Sequence, residues 1–482
     1  MWRDRYPKAV GKAPVAWSDT YWPSVHGSTN TRWQGGSEKS PLEKYDQAFN
    51  GKAGCEAMPD DLCGEGAKAK WDEYFACAGP AATWQVQHFQ NIYEQIDGID
   101  NDTDGETDEC DSSDDEGTQG WWGLCHAWTP AALLEPEPQK AVTYNGVTFD
   151  VADIKALIAT VYDANEAMML GGRCNEKEIK PENTASANLP CEDTNPGSLH
   201  VIVTNFIGIN DSALAMDRTR NYEVWNQPIV AYEISQQDEV SSKRAQECVG
   251  GTGDKYSYNN DAKKLYEVRL GLDFLVEGDA SANPLGMEGY VYTDNYHYIL
   301  EVGGSGKVIG GRFCSDNTHR PDFLWAPLRV SASSGRRNPN VSYDKIQTLL
   351  NLAFADDVTP STGSEKVFEN KTATSIPDNN AAGVSLDINV TEAITFASLS
   401  VSVDIQHTYR GDLVVQLLRD GTVVQTLQNH SGGSAANLTQ TWTFRAADVG
   451  GNAAKAKWTL KVVDDAAADS GVVKLFKLAF AQ

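Results

Sequence analysis

The sequence predicts an α+β unit followed by a separate all-β sandwich, and three observations lead there. Apolar residues recur at helical spacing through much of 66–170, strand-like alternation takes over from 198 to about 330, and period-two alternation fills the chain beyond a polar linker. A chain of 482 residues is also too long for one ordinary core.

Taken in order, residues 1–50 are rich in Trp, Tyr and Pro ("PVAWSDTYWPSV") with little periodicity, and read either as an extended part of the fold or as a pro-segment over a cleft. Helical spacing over 66–96 breaks at Gly79-Pro80, which completes an N-terminal region of 1–96. An acidic loop follows over 97–118. The stretch "CHAWTPAALL" from Cys125 predicts a helix with Pro130 near its start, and "DVADIKALIATVYDANEAMM" predicts another. Six strands are expected in "SLHVIVTNF", "ALAMDRT", "PIVAYEI", "LYEVRLGLDFL", "GYVYTDNYHYILEV" and "KVIGGRFC". A helix at "YDKIQTLLNLAFA" closes the core of 119–358, a Pro- and Gly-bearing linker spans 359–371, and 372–482 forms the sandwich, with Val401, Val403 and Ile405 alternating and Trp458, Leu460 and Val462 likewise.

A formal charge of −27 disfavours nucleic acid, because neutralising a phosphate backbone needs concentrated Lys and Arg. No apolar run approaches the eighteen or so residues that cross a bilayer. Nine cysteines without CxxC pairs suit four disulfides and one free thiol, hence an oxidising, extracellular setting. Cys174 with Cys191 and Cys248 with Cys314 are plausible brackets. The opening "MWRDRYPKAV" has no basic-then-apolar leader, as expected of a secreted chain whose signal has been removed.

In "QGWWGLCHAW", Cys125 opens a helix, where the positive end of the dipole and unpaired amides favour thiolate and can hold an oxyanion. His126 is adjacent, and consecutive helical residues diverge by about 100°, so the base is sought elsewhere. If "SLHVIVTNF" and "ALAMDRT" form a hairpin turning at Gly208-Ile209, His200 falls opposite Asp217, giving a Cys125-His200-Asp217 triad; Asp211 in the turn is the weaker alternative. Trp121, Trp122 and Trp128 either wall a water-excluding tunnel or pack under the helix.

Asp100, Asp102, Asp104, Glu106, Asp108 and Asp111 follow the spacing of a calcium loop with Gly105 at its sharp turn, although Asp111 stands where a longer Glu is usual. No Lys or Arg occurs between 97 and 116, so the loop repels itself unless cations bind. Ca2+ is therefore the expected cofactor. The loop ends just before Gln119, and metal binding there could order the oxyanion site.

The run Gln119-Gly120-Trp121-Trp122-Gly123-Leu124-Cys125 resembles the Gln-Gly-x-x-Gly-x-Cys arrangement of the papain superfamily, which carries Gln119 over as an oxyanion donor. Together with "GWWGLCHAWTPAAL", "PGSLHVIVTNFIG", "MDRTRNYEVWNQPIVAYEI" and "HRPDFLWAP", residues 10–350 resemble the elicitor-type transglutaminases of oomycetes and marine Vibrio. That resemblance implies a papain-like cysteine transferase core and a calcium-dependent protein-glutamine γ-glutamyltransferase acting on protein glutamine and lysine side chains. "VWNQP" at 224–228 matches the family's defence-eliciting peptide, but Ile229, Val230, Ala231 and Tyr232 depart from it. "IPDNNAAGVS", "VDIQHTYRGDLVVQLL" and "WTLKVVDDAAADSG" resemble the P (homo B) domain that follows secreted subtilisin-like proteases, implying a jelly-roll-like sandwich with a structural His407. A papain-like cysteine protease and a non-catalytic secreted binding protein are the rival readings.

Overall fold

The computed structural model describes residues 10–12, 16–59, 67–88, 119–174, 194–210, 212–330, 337–354, 365–396, 398–430 and 436–481. The calcium-loop residues Asp100, Asp102, Asp104, Glu106, Asp108 and Asp111, and Asp211 with them, lie outside these residues.

The first unit carries β1 (Val10–Lys12), α1 (Pro41–Phe49), α2 (Ala67–Cys77), α3 (Pro80–His88), α4 (Cys125–Leu134), the hairpin β2 (Val142–Tyr144) and β3 (Val147–Phe149), α5 (Val151–Tyr162) and β4 (Asn165–Leu170). It continues with α6 (Pro196–Phe206), β5 (Leu214–Asp217), β6 (Asn226–Val240), α7 (Ser242–Cys248), β7 (Lys264–Leu275), β8 (Val291–Val302), β9 (Val308–Phe313), β10 (Leu324–Val330) and α8 (Tyr343–Phe354). Eight strands form one antiparallel sheet in the order β4-β10-β5-β6-β7-β8-β9, with β1 added to β6.

The sheet separates two cores. Side chains alternate faces along a strand, so Ala215 and Val230 enter the core built by α1, α4, α5 and α8, while Leu214, Met216 and Ile229 enter the one covered by α6. Trp17 and Trp22 lie in the first core at 1% exposure. Burial of each such ring stabilises by roughly 1.5–3 kcal/mol. α1 begins at a capping box: Ser40 Oγ accepts from the Glu43 amide at 3.1 Å and the Ser40 amide donates to Glu43 Oε2 at 2.8 Å.

Two elements depart from the sequence expectation. "PGSLHVIVTNF" is not a strand but α6: Asn195 caps it, accepting from the Gly197 amide at 2.8 Å, Pro196 takes the first turn, and Leu199 and Val203 bury one face. The β-branched Val201, Ile202 and Val203 mimic a strand, but local capping and the i, i+4 apolar pair prevail. The second helix likewise stops at Tyr162, because Asn165–Leu170 pairs with β10 as an edge strand. Sheet pairing there overrides the helical propensity of Glu166-Ala167-Met168-Met169-Leu170.

The C-terminal part is β-rich. β11 (Glu365–Asn370), β12 (Thr374–Ile376), β14 (Ser398–His407), β17 (Leu438–Arg445) and β19 (Gly471–Ala481) make one antiparallel sheet, and β13 (Asn380–Val390), β15 (Leu413–Arg419), β16 (Thr422–Asn429) and β18 (Ala456–Asp464) the other. Val401, Val403, Ile405, Trp458, Leu460 and Val462 point into their shared core. His407 is buried and its Nε2 lies 3.1 Å from Asp464 Oδ2. Arg329 joins the two parts, bonding Glu166 at 2.8 Å and also Asp412. Arg410 reaches Asp344 of α8 at 2.7 Å.

Candidate active site

Cys125 is the first residue of α4, and among the described residues it is the free cysteine. Cys55–Cys77 and Cys248–Cys314 are disulfides, and Cys174 is also disulfide-bonded. Cys125 is 6% exposed. Its sulfur lies 3.4 Å from the Val224 carbonyl, to which the thiol can donate, and 3.5 Å from Asn226 Nδ2, which donates to it. Asn226 is held in that orientation because Trp325 Nε1 donates to its Oδ1 at 2.9 Å.

The imidazole beside this sulfur is His126. Side chains on a helix lean toward its N-terminus, so a ring at the second position tilts back over the first, and the divergence expected from helical geometry does not separate the pair. Pro130 lacks the N–H that would bond the His126 carbonyl, and Asn165 Nδ2 supplies that bond at 3.2 Å. His126 Nε2 lies 2.7 Å from Asp163 Oδ1, a carboxylate placed in the turn where α5 gives way to β4. Burial, the largest single influence on the ring, favours its neutral form; hydrogen bonding and charge from Asp163 and then Cys125 outweigh it and push the pKa up to about 10.

The Cys125-His200-Asp217 triad is not assembled. His200 sits on α6, across the sheet from α4, with Nδ1 2.8 Å from the Tyr298 hydroxyl, and burial pushes its pKa down to about 4. Asp217 pairs with Asn226 across β5 and β6, and its Oδ1 accepts from the Trp225 amide at 3.0 Å. Burial, helped by nearby Asp322, pushes Asp217 up to about 7, and its Oδ2 has no hydrogen-bond partner among the described residues. The hairpin that would face His200 with Asp217 fails because the first arm is a helix.

The approach to Cys125 is shaped by the N-terminal segment. Leu124 N–H donates to the Tyr21 carbonyl at 2.5 Å, Ser24 N–H to the Trp122 carbonyl at 2.9 Å, and the Tyr21 hydroxyl to the Gly120 carbonyl at 2.9 Å. Gly123 is required at this crossing, since a Cβ there would stand 2.4 Å from the Tyr21 carbonyl oxygen. Gln119 is half-buried at the start of the loop, its carbonyl accepting from the Trp122 amide at 3.0 Å. Trp121 and Trp122 are partly exposed, whereas Trp128 is wholly buried in the core under the helix.

A family model described as transglutaminase elicitor matches residues 4–355. The chain belongs to the transglutaminase elicitor family. A second model, the proprotein convertase P-domain, matches residues 396–480 of this family member. Its structure is similar to the GP42 transglutaminase of Phytophthora sojae, 27% identical, with a TM-score of 0.49 over 71% of this chain and 90% of that one. It is 43% identical over 23% of its length to leupeptin-inactivating enzyme 1 of Streptomyces exfoliatus, of which it covers 26%. It is also 37% identical over 25% of its length to the transglutaminase-activating metalloprotease of Streptomyces mobaraensis, of which it covers 16%. The transglutaminase-family chain thus spans about a quarter or less of these curated relatives.

Two residues of the family member's candidate site escape a reading of the sequence, and a third is set aside by it. Asp163 carries no motif and lies 37 residues from the imidazole it orients. Asn226 is marked only by its place in "VWNQP". His126 was visible, and the turn at 163–165 would have been its signal had the helix end been recognised.

Proposed function

We propose that this secreted transglutaminase-family protein is a calcium-dependent protein-glutamine γ-glutamyltransferase, with Cys125 as nucleophile, His126 as acid and base, and Asp163 orienting the ring. The observation that carries the reading is the unbridged sulfur of Cys125 at the start of α4 beside the His126–Asp163 pair. A papain-like logic follows from a helix-borne thiolate facing a sheet-borne amide.

The Cys125 thiolate attacks the carboxamide carbon of a peptide-bound glutamine. The oxyanion is taken by amides at the start of α4, with Gln119 as the proposed side-chain donor. Imidazolium His126 protonates the departing ammonia, leaving a thioester. A lysine amine then attacks, the C–N bond forms as the C–S bond breaks, and the amine's proton returns to His126. The acidic loop, with the carboxylates of Asp100, Asp102, Asp104, Asp108 and Asp111 and the Glu106 carbonyl at calcium-loop spacing, would bind Ca2+ through hard oxygen donors and stabilise the neighbouring oxyanion loop.

The test is incorporation of a fluorescent amine into casein by wild type and Cys125→Ala, with and without calcium. Incorporation by the calcium-loaded wild type alone is expected. Casein fragmentation without incorporation would replace the reading with a cysteine protease. Neither activity, with Cys125 inert to iodoacetamide, would leave a binding protein.

A further inference from the structure

A cavity of about 570 Å³ opens beside the Cys125 loop, with Tyr21, Trp22, Trp33 and Tyr290 as aromatic walls and Glu277 and Asp279 as its acids. Among the described residues lining it there is no lysine or arginine, and the basic one is His26. Glu277 is held in place by Gln227, whose Nε2 donates to both carboxylate oxygens at 2.9 and 3.0 Å. Arg218, the guanidinium that acts on Glu277, is engaged by both oxygens of Asp294 at 2.8 and 3.1 Å.

This lining selects among ligands. Two carboxylates without a lysine or arginine repel an anion. A divalent cation asks for a cage of about six or more oxygens, which aromatic faces do not provide. An alkylammonium meets both halves of the surface: its methylene stem lies against the rings and its head takes the carboxylate and the ring faces together.

Tyr21 ties the cavity to the nucleophile. Its ring lines the cavity and meets Trp225, one residue before Asn226, edge to face at 5.3 Å between centroids. Burial, then Glu277, then Cys125 raise the pKa of its phenol, which places both groups within electrostatic reach of one side chain. Its carbonyl and hydroxyl are the acceptor and donor that hold the loop Gly120–Leu124.

We propose that this cavity is the acceptor subsite, binding the lysine side chain of the second substrate protein or a free primary alkylamine, with Glu277 as counter-ion. The assignment rests on the acyl-transfer reading for its role, though not for its ligand. The amine enters as an ammonium, and Glu277 takes one of its protons, which later passes to solvent. The neutral amine attacks the Cys125 thioester, the C–N bond forms, the C–S bond breaks, and the second proton goes to His126.

Binding can be measured without turnover in Cys125→Ala, by fluorescence of Trp22 and Trp33 on titration with Nα-acetyl-lysine methylamide and with its neutral isostere Nα-acetyl-norleucine methylamide. The lysine derivative is expected to bind at least about tenfold more tightly, the scale of one desolvated cation–π contact with its counter-ion. Glu277→Gln in the same background, with unchanged near-UV circular dichroism, should abolish the preference. Equal binding of the two ligands, or a preference that survives Glu277→Gln, overturns the assignment. If Glu277→Gln does not fold, the exposed Asp279→Lys serves as reporter: a reduced preference supports the site and an unchanged one overturns it. Failure of wild type to release ammonia from a glutamine peptide would sink the acyl-transfer reading instead, and leaves the binding result standing on its own.

Discussion

His126 Nε2 lies 2.7 Å from Asp163 Oδ1, a contact between the second residue of one helix and the turn that ends another. It fixes the ring of the histidine that follows Cys125. On the proposed reading His126 is the acid and base, and its removal tests that reading. His126→Ala should lower amine incorporation by about 10²–10⁴-fold, the usual contribution of a general acid–base group, while His200→Gln should keep most activity. Both are read from initial rates of amine incorporation into casein.

Asp163 also sets a pH limit. The His126 pKa is raised above its ordinary value to about 10, so the folding stability it contributes is full below its ordinary pKa and is lost as pH rises through about 10. Catalysis that needs the imidazolium should lose activity over the same alkaline range. Asp163→Asn should move this alkaline limb to lower pH, as measured by the pH dependence of kcat/KM. A limb unmoved by the substitution would separate Asp163 from the reaction.

Asp217 shifts in the same direction for a different cause. Its carboxyl is raised by burial from 3.8 to about 7, so the stability linked to it is present below the lower value and is lost as pH rises through the upper one. Asp217→Asn retains an oxygen for the Trp225 amide and should therefore raise the melting temperature at pH 8 more than at pH 5. Incorporation rates should stay within about threefold, a small effect beside loss of a general acid. A loss of two orders of magnitude would restore Asp217 to the reaction.

Arg329 should hold the C-terminal part to the first unit, because it bonds both Glu166 and the nearly buried Asp412. Arg329→Ala leaves that carboxylate unpaired and should cost about 1–3 kcal/mol, less than a fully buried pair because the arginine is partly exposed. Differential scanning calorimetry should then resolve two transitions where wild type shows a more cooperative one.

Calcium dependence is tested directly by chelation. EDTA should abolish amine incorporation and added Ca2+ restore it, and Asp102→Ala combined with Asp104→Ala should remove both calorimetric Ca2+ binding and activity. Unchanged rates in both experiments would detach the acidic loop from catalysis.

How much of this was legible before folding differs by element. Cys125 could be picked out because a glycine-rich approach, a helix start and an odd cysteine count all act locally. Cys248 with Cys314 was a plausible bracket from spacing, and the bridge is present. The alternation of Val401, Val403 and Ile405 states which side is buried whatever the partner strand, since a period of two needs no tertiary information. The segment holding His200 was misread because its β-branched run imitates a strand, and the capping by Asn195 and Pro196 carries the opposite signal.

By itself, then, the sequence determined the candidate nucleophile, the order of an α+β unit and a β-rich one, and the inward face of strands such as those holding Val401 and Trp458, all properties of near neighbours along the chain. Only the tertiary structure decided which imidazole stands beside the sulfur. That choice depends on a strand pairing that ends α5 at Tyr162 and so turns Asp163 toward His126, and on a sheet that puts His200 behind it. Partners 37 residues apart are joined by packing between elements, and spacing along the chain contains no record of it.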